Sequence, residues 1–178
     1  DEGREAYNRM DLGAAIERLR AASEAFAAMV ADLDTFEPYV EALQYQAAAL
    51  VLNRTAGGPA KLAEIHTLAP DTRFDPNVFP PDITSQYADI VRRHSRAGPA
   101  ILSVETNVAG AEVFVDGVFV GFSPVQVERL VAGDHFVHAR RPGYRSQAQT
   151  VTLAGRGAGQ VRLDLADLPG APALSASL

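Results

Sequence analysis

The chain has 178 residues, of which 47% are hydrophobic and 21% charged, and these ordinary globular values exclude wholesale disorder. The net charge of −6 argues against a general affinity for nucleic acid or for anionic membranes, and the lack of cysteine excludes disulfides and thiolate metal sites. No apolar run approaches the roughly 20 residues of a transmembrane helix. Because the sequence lacks an initiator Met, we expect it to be a fragment of a longer protein.

Residues 1–96 are predicted to form an α-helical domain. Along the first helix, apolar residues recur at spacings of three, four and seven: Leu12, Ile16, Leu19, Phe26 and Val30. The second helix is expected over 36–53, where Asp34-Thr35 supplies a cap, and two more are expected over 60–68 and 81–96. Helices this short and this clearly separated are expected to stack as antiparallel hairpins.

This helical segment resembles degenerate tetratricopeptide repeats. Ala15, Leu19 and Ala22 match the small–large–small pattern of a second repeat helix, and Leu62 with Pro70 matches the end of the next. The resemblance implies a region that binds or positions a protein partner.

The periodicity changes from helical to alternating after a short linker. Residues 97–99 read Ala-Gly-Pro, and three residues are too few for a long tether, so the two domains are expected to touch. Residues 100–166 are predicted to form a β-domain. Residues 167–178 are rich in Pro, Ala and Ser and are predicted to be a flexible tail.

The β-domain contains a clear hairpin signal, because Asp116-Gly117 lies between two Val-Phe-Val triplets. In a two-residue hairpin Val115 opposes Val118 and Val113 opposes Val120, which predicts that these four valines share the core face. Phe114 and Phe119 then oppose each other on the second face as a cross-strand aromatic pair. This second face is therefore predicted to be a contact surface.

The strand that follows, residues 134–140, alternates in the same way. If Val137 and Ala139 point inward, then Phe136, His138 and Arg140 point outward. Two alternatives remain for the outward aromatic residues: they pack against the helical domain or under a loop, or they form an exposed patch that docks a partner.

Residues 100–166 resemble a PEGA domain, a bacterial and archaeal module of about this size. The matching elements share fixed turn and strand positions: Gly110-Ala111, Val115-Asp116-Gly117, Gly121-Phe122-Ser123-Pro124, His135, Val137 and Pro142-Gly143-Tyr144. The resemblance implies a small antiparallel β-sandwich attached to other domains in envelope or signalling proteins, without catalysis of its own. The fold class expected for the chain is therefore α+β and multidomain.

No catalytic, cofactor or metal site is predicted. His66 and His94 lie on predicted helices, and His135 and His138 lie three apart on one strand, so they face opposite sides and cannot chelate together. The acidic residues near Asp75 lack the order of an EF-hand loop. No P-loop or Gly-x-Ser-x-Gly motif occurs. We therefore expect that the protein is not an enzyme.

The candidate partner-binding residues are aromatic and basic, the types that anchor protein interfaces: Phe114, Phe119, Phe136, His138, Arg140, Arg141, Tyr144 and Arg145. We expect a protein-interaction or scaffold module of a larger bacterial envelope protein, periplasmic or at the cell surface, with a cytoplasmic signalling protein as the alternative. The alternative function is binding of cell-wall or surface glycan through Tyr144 with Arg145 or Phe136 with His138. The identity of the partner and the oligomeric state stay open.

Overall fold

The computed structural model describes residues 1–33 and 35–168, where five α-helices precede seven strands, so the predicted α+β architecture is confirmed. The helices are α1 Glu2–Asn8, α2 Leu12–Ala28, α3 Glu37–Leu52, α4 Gly58–Leu68 and α5 Pro81–Ala97. The helix that we expected to reach Val30 ends earlier, and a single 3-10 turn, η1, spans Val30–Asp32. None of the helices described is long and apolar enough to cross a membrane.

Helix α3 lies at the centre of the helical region. Its alanines Ala42, Ala47, Ala48 and Ala49 are buried, and their small side chains let α2 and α4 approach closely. The Thr35 hydroxyl accepts the backbone N–H of Glu37 at 3.2 Å, but the N-cap residue is Phe36, whose side chain makes no capping bond, so Thr35 is not the cap that we expected. Asp34 lies outside the described residues. The tetratricopeptide-like character of this region stays a prediction.

The strands form two packed sheets. They are β1 Ala100–Thr106, β2 Glu112–Val115, β3 Val118–Phe122, β4 Val125–Leu130, β5 Gly133–Arg140, β6 Gln147–Leu153 and β7 Ala158–Leu163. One sheet has the order β4-β1-β7 and the other β3-β2-β5-β6. The pairing is antiparallel except between β1 and β7, which are parallel. The connection from β6 to β7 crosses from one sheet to the other.

The β2–β3 hairpin follows the predicted turn and departs from the predicted register. Asp116 and Gly117 have φ of 51° and 79°, the positive values that a type I′ turn requires. Val115 pairs with Val118 as expected, but a β-bulge places Gly121 opposite Val113. The predicted pairing of Val113 with Val120 is therefore wrong, and one of the four valines, Val118, does not lie in the core.

Val118 is the exception, with 64% of its surface exposed. It begins the edge strand β3 and borders a groove that faces the helices, so the second sheet does not cover it. Val113 and Val115 are buried, and Val120 packs against the core as predicted.

The helical region and the sandwich touch, as the short linker led us to expect. Phe136 of β5 enters the helical core, with its ring 6.1 Å from those of both Phe36 and Tyr39. Gly117 lies directly on the Phe36 ring, where a Cβ would approach to 2.5 Å. The Thr67 hydroxyl donates to the Ala132 carbonyl at 3.2 Å. Helices α3 and α4 therefore hold both the tip of the hairpin and the start of β5.

The end of the described chain remains bonded to the sandwich. Asp167 forms a β-bridge with Tyr144, and the Leu168 N–H donates to the Gly143 carbonyl at 2.8 Å. The rest of the predicted tail, residues 169–178, lies outside the described residues.

Candidate functional site

A ladder of rings lies on the outer face of the β3-β2-β5-β6 sheet. Phe119 contacts Phe122 and Phe114 edge to face, with ring centroids 5.4 and 5.5 Å apart, and Phe114 stacks on His138 at 4.5 Å. The register explains the arrangement, because Phe114 lies opposite Phe119 on one neighbouring strand and opposite His138 on the other. The predicted pair of Phe114 with Phe119 is therefore part of a longer row.

A charged pair lies beside this aromatic ladder. The Arg140 guanidinium lies 4.6 Å from the centroid of the Phe114 ring, and its Nε donates to the Glu112 carboxylate at 2.7 Å. Both side chains are partly exposed, so the ion pair itself contributes little to stability. Its effect is positional, because Glu112 holds the guanidinium over the ring, where a cation–π contact contributes about 0.5–1 kcal/mol.

The outer end of the ladder is open to solvent. Phe119 is 48% exposed and Phe122 59% exposed, while Phe114 is half-buried between its neighbours. Strict alternation from Phe119 places Phe122 on the opposite face, which is why the sequence did not identify it. The bulge at Val120–Gly121 adds one residue and returns Phe122 to the same face as Phe119.

A second set of polar contacts lies inside the sandwich, behind the hairpin turn. One oxygen of the Asp116 carboxylate lies 2.6 Å from Nδ1 of His135, and the other accepts the Phe136 N–H at 2.9 Å. Nε2 of His135 lies 2.7 Å from the Val131 carbonyl. Both ring nitrogens therefore face acceptors, and the imidazolium form of His135 satisfies both.

Burial and pairing act in opposite directions on this couple. Burial disfavours the charged imidazole, but the hydrogen bond and negative charge of Asp116 outweigh it and raise the pKa of His135 above its ordinary value. Burial also raises the pKa of the Asp116 carboxyl, although His135 opposes that shift. His135 is fully buried, so this pair clamps the hairpin turn to β5 and does not meet solvent.

The comparison with protein families agrees with this geometry. Residues 100–166 match the family model described as PEGA domain. This region is a PEGA domain. The match includes all seven strands and none of the helices, and no curated protein matches the chain. PEGA domains are generally periplasmic or surface-associated modules.

The residues that identify the PEGA domain are explained by its folding. Asp116 and Gly117 form the turn, His135 clamps it, and Tyr144 pairs with the end of the domain. The aromatic ladder is different, because the sandwich core is aliphatic and does not require the Phe119 or Phe122 ring.

Two of the predicted site residues are covered by the helical region. Phe136 packs in the helical core, and His138 is only 2% exposed because η1 lies against β5. Both lie on the predicted face, but neither is available to a partner. Burial lowers the pKa of His138, and its Nδ1 has no hydrogen-bond partner among the described residues. The predicted glycan pair of Phe136 with His138 is therefore covered.

Three other predicted residues lie at the far end of β5. Arg141 begins the β5–β6 connection, where its carbonyl accepts the Tyr144 N–H at 3.1 Å. Tyr144 packs against the sandwich core, and Arg145 is exposed beside it. The structure therefore divides the predicted set. It brings Phe114, Phe119 and Arg140 together with the buried His138, and Phe122 joins them.

Proposed function

We propose that the chain is a non-catalytic protein-interaction module of a larger bacterial envelope protein. Its PEGA domain offers the outer face of β3 and β2 to a protein partner. The observation that carries this proposal is the exposed pair of rings, Phe119 and Phe122, on a sheet whose own core does not need them. Exposed aromatic side chains that lie side by side are typical of interaction surfaces.

The aromatic ladder has the physical properties of a binding anchor. Aromatic rings bury a large area for few rotatable bonds, and aromatic residues and arginine dominate the binding energy of interfaces. Phe119 already contacts a ring on each side, so it loses little side-chain freedom when a partner covers it. Arg140 lies over the third ring of the row and adds a charged group at the edge of the surface.

The helical region acts as a support for this surface in the proposed function. Phe136 and the Gly117 turn fasten the PEGA domain to α3, and η1 covers His138 at the inner end of the ladder. The helices therefore set the direction in which the exposed rings face. A periplasmic or cell-surface location follows the usual setting of PEGA domains.

The test is a double substitution, Phe119→Ser with Phe122→Ser. Phe114 is retained because its ring stacks on buried His138. Partners are captured by crosslinking in an envelope extract of the source bacterium, and the affinity of the recovered protein is measured by calorimetry. We expect the double variant to bind at least about tenfold more weakly, a loss of about 1.4 kcal/mol or more.

A matched control replaces apolar residues of similar exposure elsewhere, Val78→Ser with Ile101→Ser. This variant is expected to bind like the wild type. Equal affinity of the folded Phe119/Phe122 variant and the wild type would count against the aromatic surface.

Glycan binding is the second candidate function. The observation in its favour is that the exposed Phe122 lies opposite Glu112, which pairs with Arg140, and an aromatic ring next to polar groups suits a sugar. Co-sedimentation with purified cell wall distinguishes the two functions. Sedimentation of the wild type and not of the Phe119/Phe122 variant supports the glycan, and recovery of a defined protein without sedimentation supports the protein partner.

A further inference from the structure

A groove of about 700 Å³ runs along the junction between the helical region and the tip of the β2–β3 hairpin. The start of α3 forms one side, and the connection after α4, residues 68–73, forms the other. The hairpin tip, residues 116–118, closes one end. Both regions therefore build this groove, and junctions between domains are preferred positions for binding sites.

The floor of the groove is apolar. Phe36, Val40 and Leu68 line it with side chains that are largely buried beneath their own helices. Val118 stands at one end as a mostly exposed apolar side chain that the sandwich core does not use. A ligand in the groove would remove this apolar surface from water.

The rim of the groove is acidic. Glu37 and Glu41 lie one turn apart on α3, and Asp71 lies on the opposite side. Arg73 is the cation in the lining, and Arg4 bonds to Glu41 at 3.0 Å. Among the ion pairs of the described residues, none involves Glu37 or Asp71. These two exposed carboxylates can therefore pair with cations of a ligand.

We propose that this groove binds an extended segment of a partner protein in which an apolar side chain lies next to lysine or arginine. The apolar side chain packs on Val40, Leu68 and Val118, and the cations lie against the carboxylates on the two rims. The groove is open to solvent along its length, which suits an extended chain better than an enclosed small molecule. Charge complementarity of this kind selects the partner and its orientation.

This site is separate from the aromatic ladder. Phe119 and Phe122 are not among the residues that line the groove, although they belong to the same hairpin as Val118. The two surfaces can therefore be inactivated independently.

The test begins with random dodecapeptides displayed on phage and selected on the intact 178-residue chain. The most enriched sequence is then synthesised, and its binding is measured by fluorescence polarisation. We expect enriched peptides to carry lysine or arginine beside an apolar residue. Their affinity is expected to fall at least about tenfold in the variant Glu37→Lys with Asp71→Lys, because two attractive contacts become repulsive.

The matched control reverses two exposed carboxylates away from the groove, Glu17→Lys with Glu128→Lys. It changes the net charge equally and is expected to bind within about twofold of the wild type, since distant surface charges are screened. Circular dichroism checks that both variants are folded. The Phe119/Phe122 serine variant is expected to bind the peptide as the wild type does.

Four outcomes would overturn the proposal. The first is that no peptide is enriched, and the second is that the enriched peptides are acidic or purely apolar. The third is that the folded Glu37/Asp71 variant binds the peptide as tightly as the wild type. The fourth is loss of peptide binding in the Phe119/Phe122 variant, which would place the peptide on the aromatic ladder instead of in the groove.

Discussion

The helical region and the PEGA domain use their aromatic residues in opposite ways. In the helical region the aromatic side chains build the core, and those buried there are Tyr7, Phe36, Tyr39, Phe74, Phe79 and Tyr87. The hydrophobic residues buried in the core of the PEGA domain are all aliphatic, and most of them are valine and leucine. The phenylalanine rings of the PEGA domain therefore lie outside its hydrophobic core.

The packing of each region explains this contrast. The alanines of α3 bring helices close together, and large rings fill the remaining irregular spaces around them. In the sandwich, β-branched side chains on two pleated sheets fill the narrow space between the layers without rings. Phe136 is a residue of strand β5, but its side chain packs against the helical core, so it lies where the two regions join.

The largest effect is expected at the hairpin clamp, with Asp116→Ala. The substitution leaves Nδ1 of the buried His135 and the Phe136 N–H without their partner, and breaking a buried pair in this way costs about 3–5 kcal/mol. The free energy of unfolding is measured by urea denaturation. Asp116→Asn should lose less, because asparagine also tolerates the positive φ of this turn. An effect as small as that of the exposed control Asp164→Ala would contradict the role of the clamp.

The next effect is expected at the joint, with Phe136→Ala. The ring is partly buried among Phe36 and Tyr39, so its removal should cost about 2–4 kcal/mol. Most of that loss falls on contacts between the two regions. Scanning calorimetry should therefore show one unfolding transition in the wild type and two separated transitions in the variant. A single transition at an unchanged midpoint would show that the aromatic joint does not couple the regions.

The features that the sequence predicted correctly are those set by neighbouring residues. The Asp116-Gly117 turn and the pairing of Phe114 with Phe119 depend on chain segments only a few residues apart. The bulge beyond them was missed, although Gly121, with φ of 140°, is the residue that signals it. Phe122 was lost from the predicted site for that reason alone.

The covering of Phe136 and His138 could not be read from the sequence. Alternation along β5 places both side chains outside the sandwich, which is correct. The residues that cover them belong to η1 and to the start of α3, about a hundred positions earlier in the chain. A contact over that separation cannot be predicted from the local sequence pattern. The sequence could therefore state the two alternatives for the second face but could not choose between them residue by residue.

The two regions are also expected to respond to pH in opposite directions. Burial lowers the pKa of His66 and His94 in the helical region. Below about pH 6.5 these histidines are therefore protonated in the unfolded chain before they are protonated in the folded chain. Proton uptake by the unfolded chain then lowers the free energy of unfolding of the helical region as the pH falls. The raised pKa of His135 acts the other way: its contribution is present below about pH 6.5 and is lost as the pH rises through the folded value.

Hydrogen exchange measured by mass spectrometry can resolve this difference by region. Between about pH 7.5 and about pH 5.5, after correction for intrinsic exchange, α4 and α5 should lose protection, while the hairpin turn and the first residues of β5, which His135 joins, should retain it. The contact of η1 with His138 should weaken with the helices, because burial lowers that pKa as well. His66→Gln with His94→Gln should remove the pH response of the helices. Equal loss of protection in both regions would contradict the assignment.

The smallest change in stability is expected for the Phe119→Ser and Phe122→Ser pair. Both rings are exposed and touch mainly each other and Phe114, so their loss should cost less than about 1 kcal/mol. Urea denaturation measures the free energy of unfolding of this variant and of Phe136→Ala, so the two losses are compared within one sheet. A cost as large as that of Phe136→Ala would mean that the ladder supports the fold, and the contrast between internal and external aromatic residues would fail. A small cost means that the stability of the fold does not account for these two rings, as the proposed interaction surface requires.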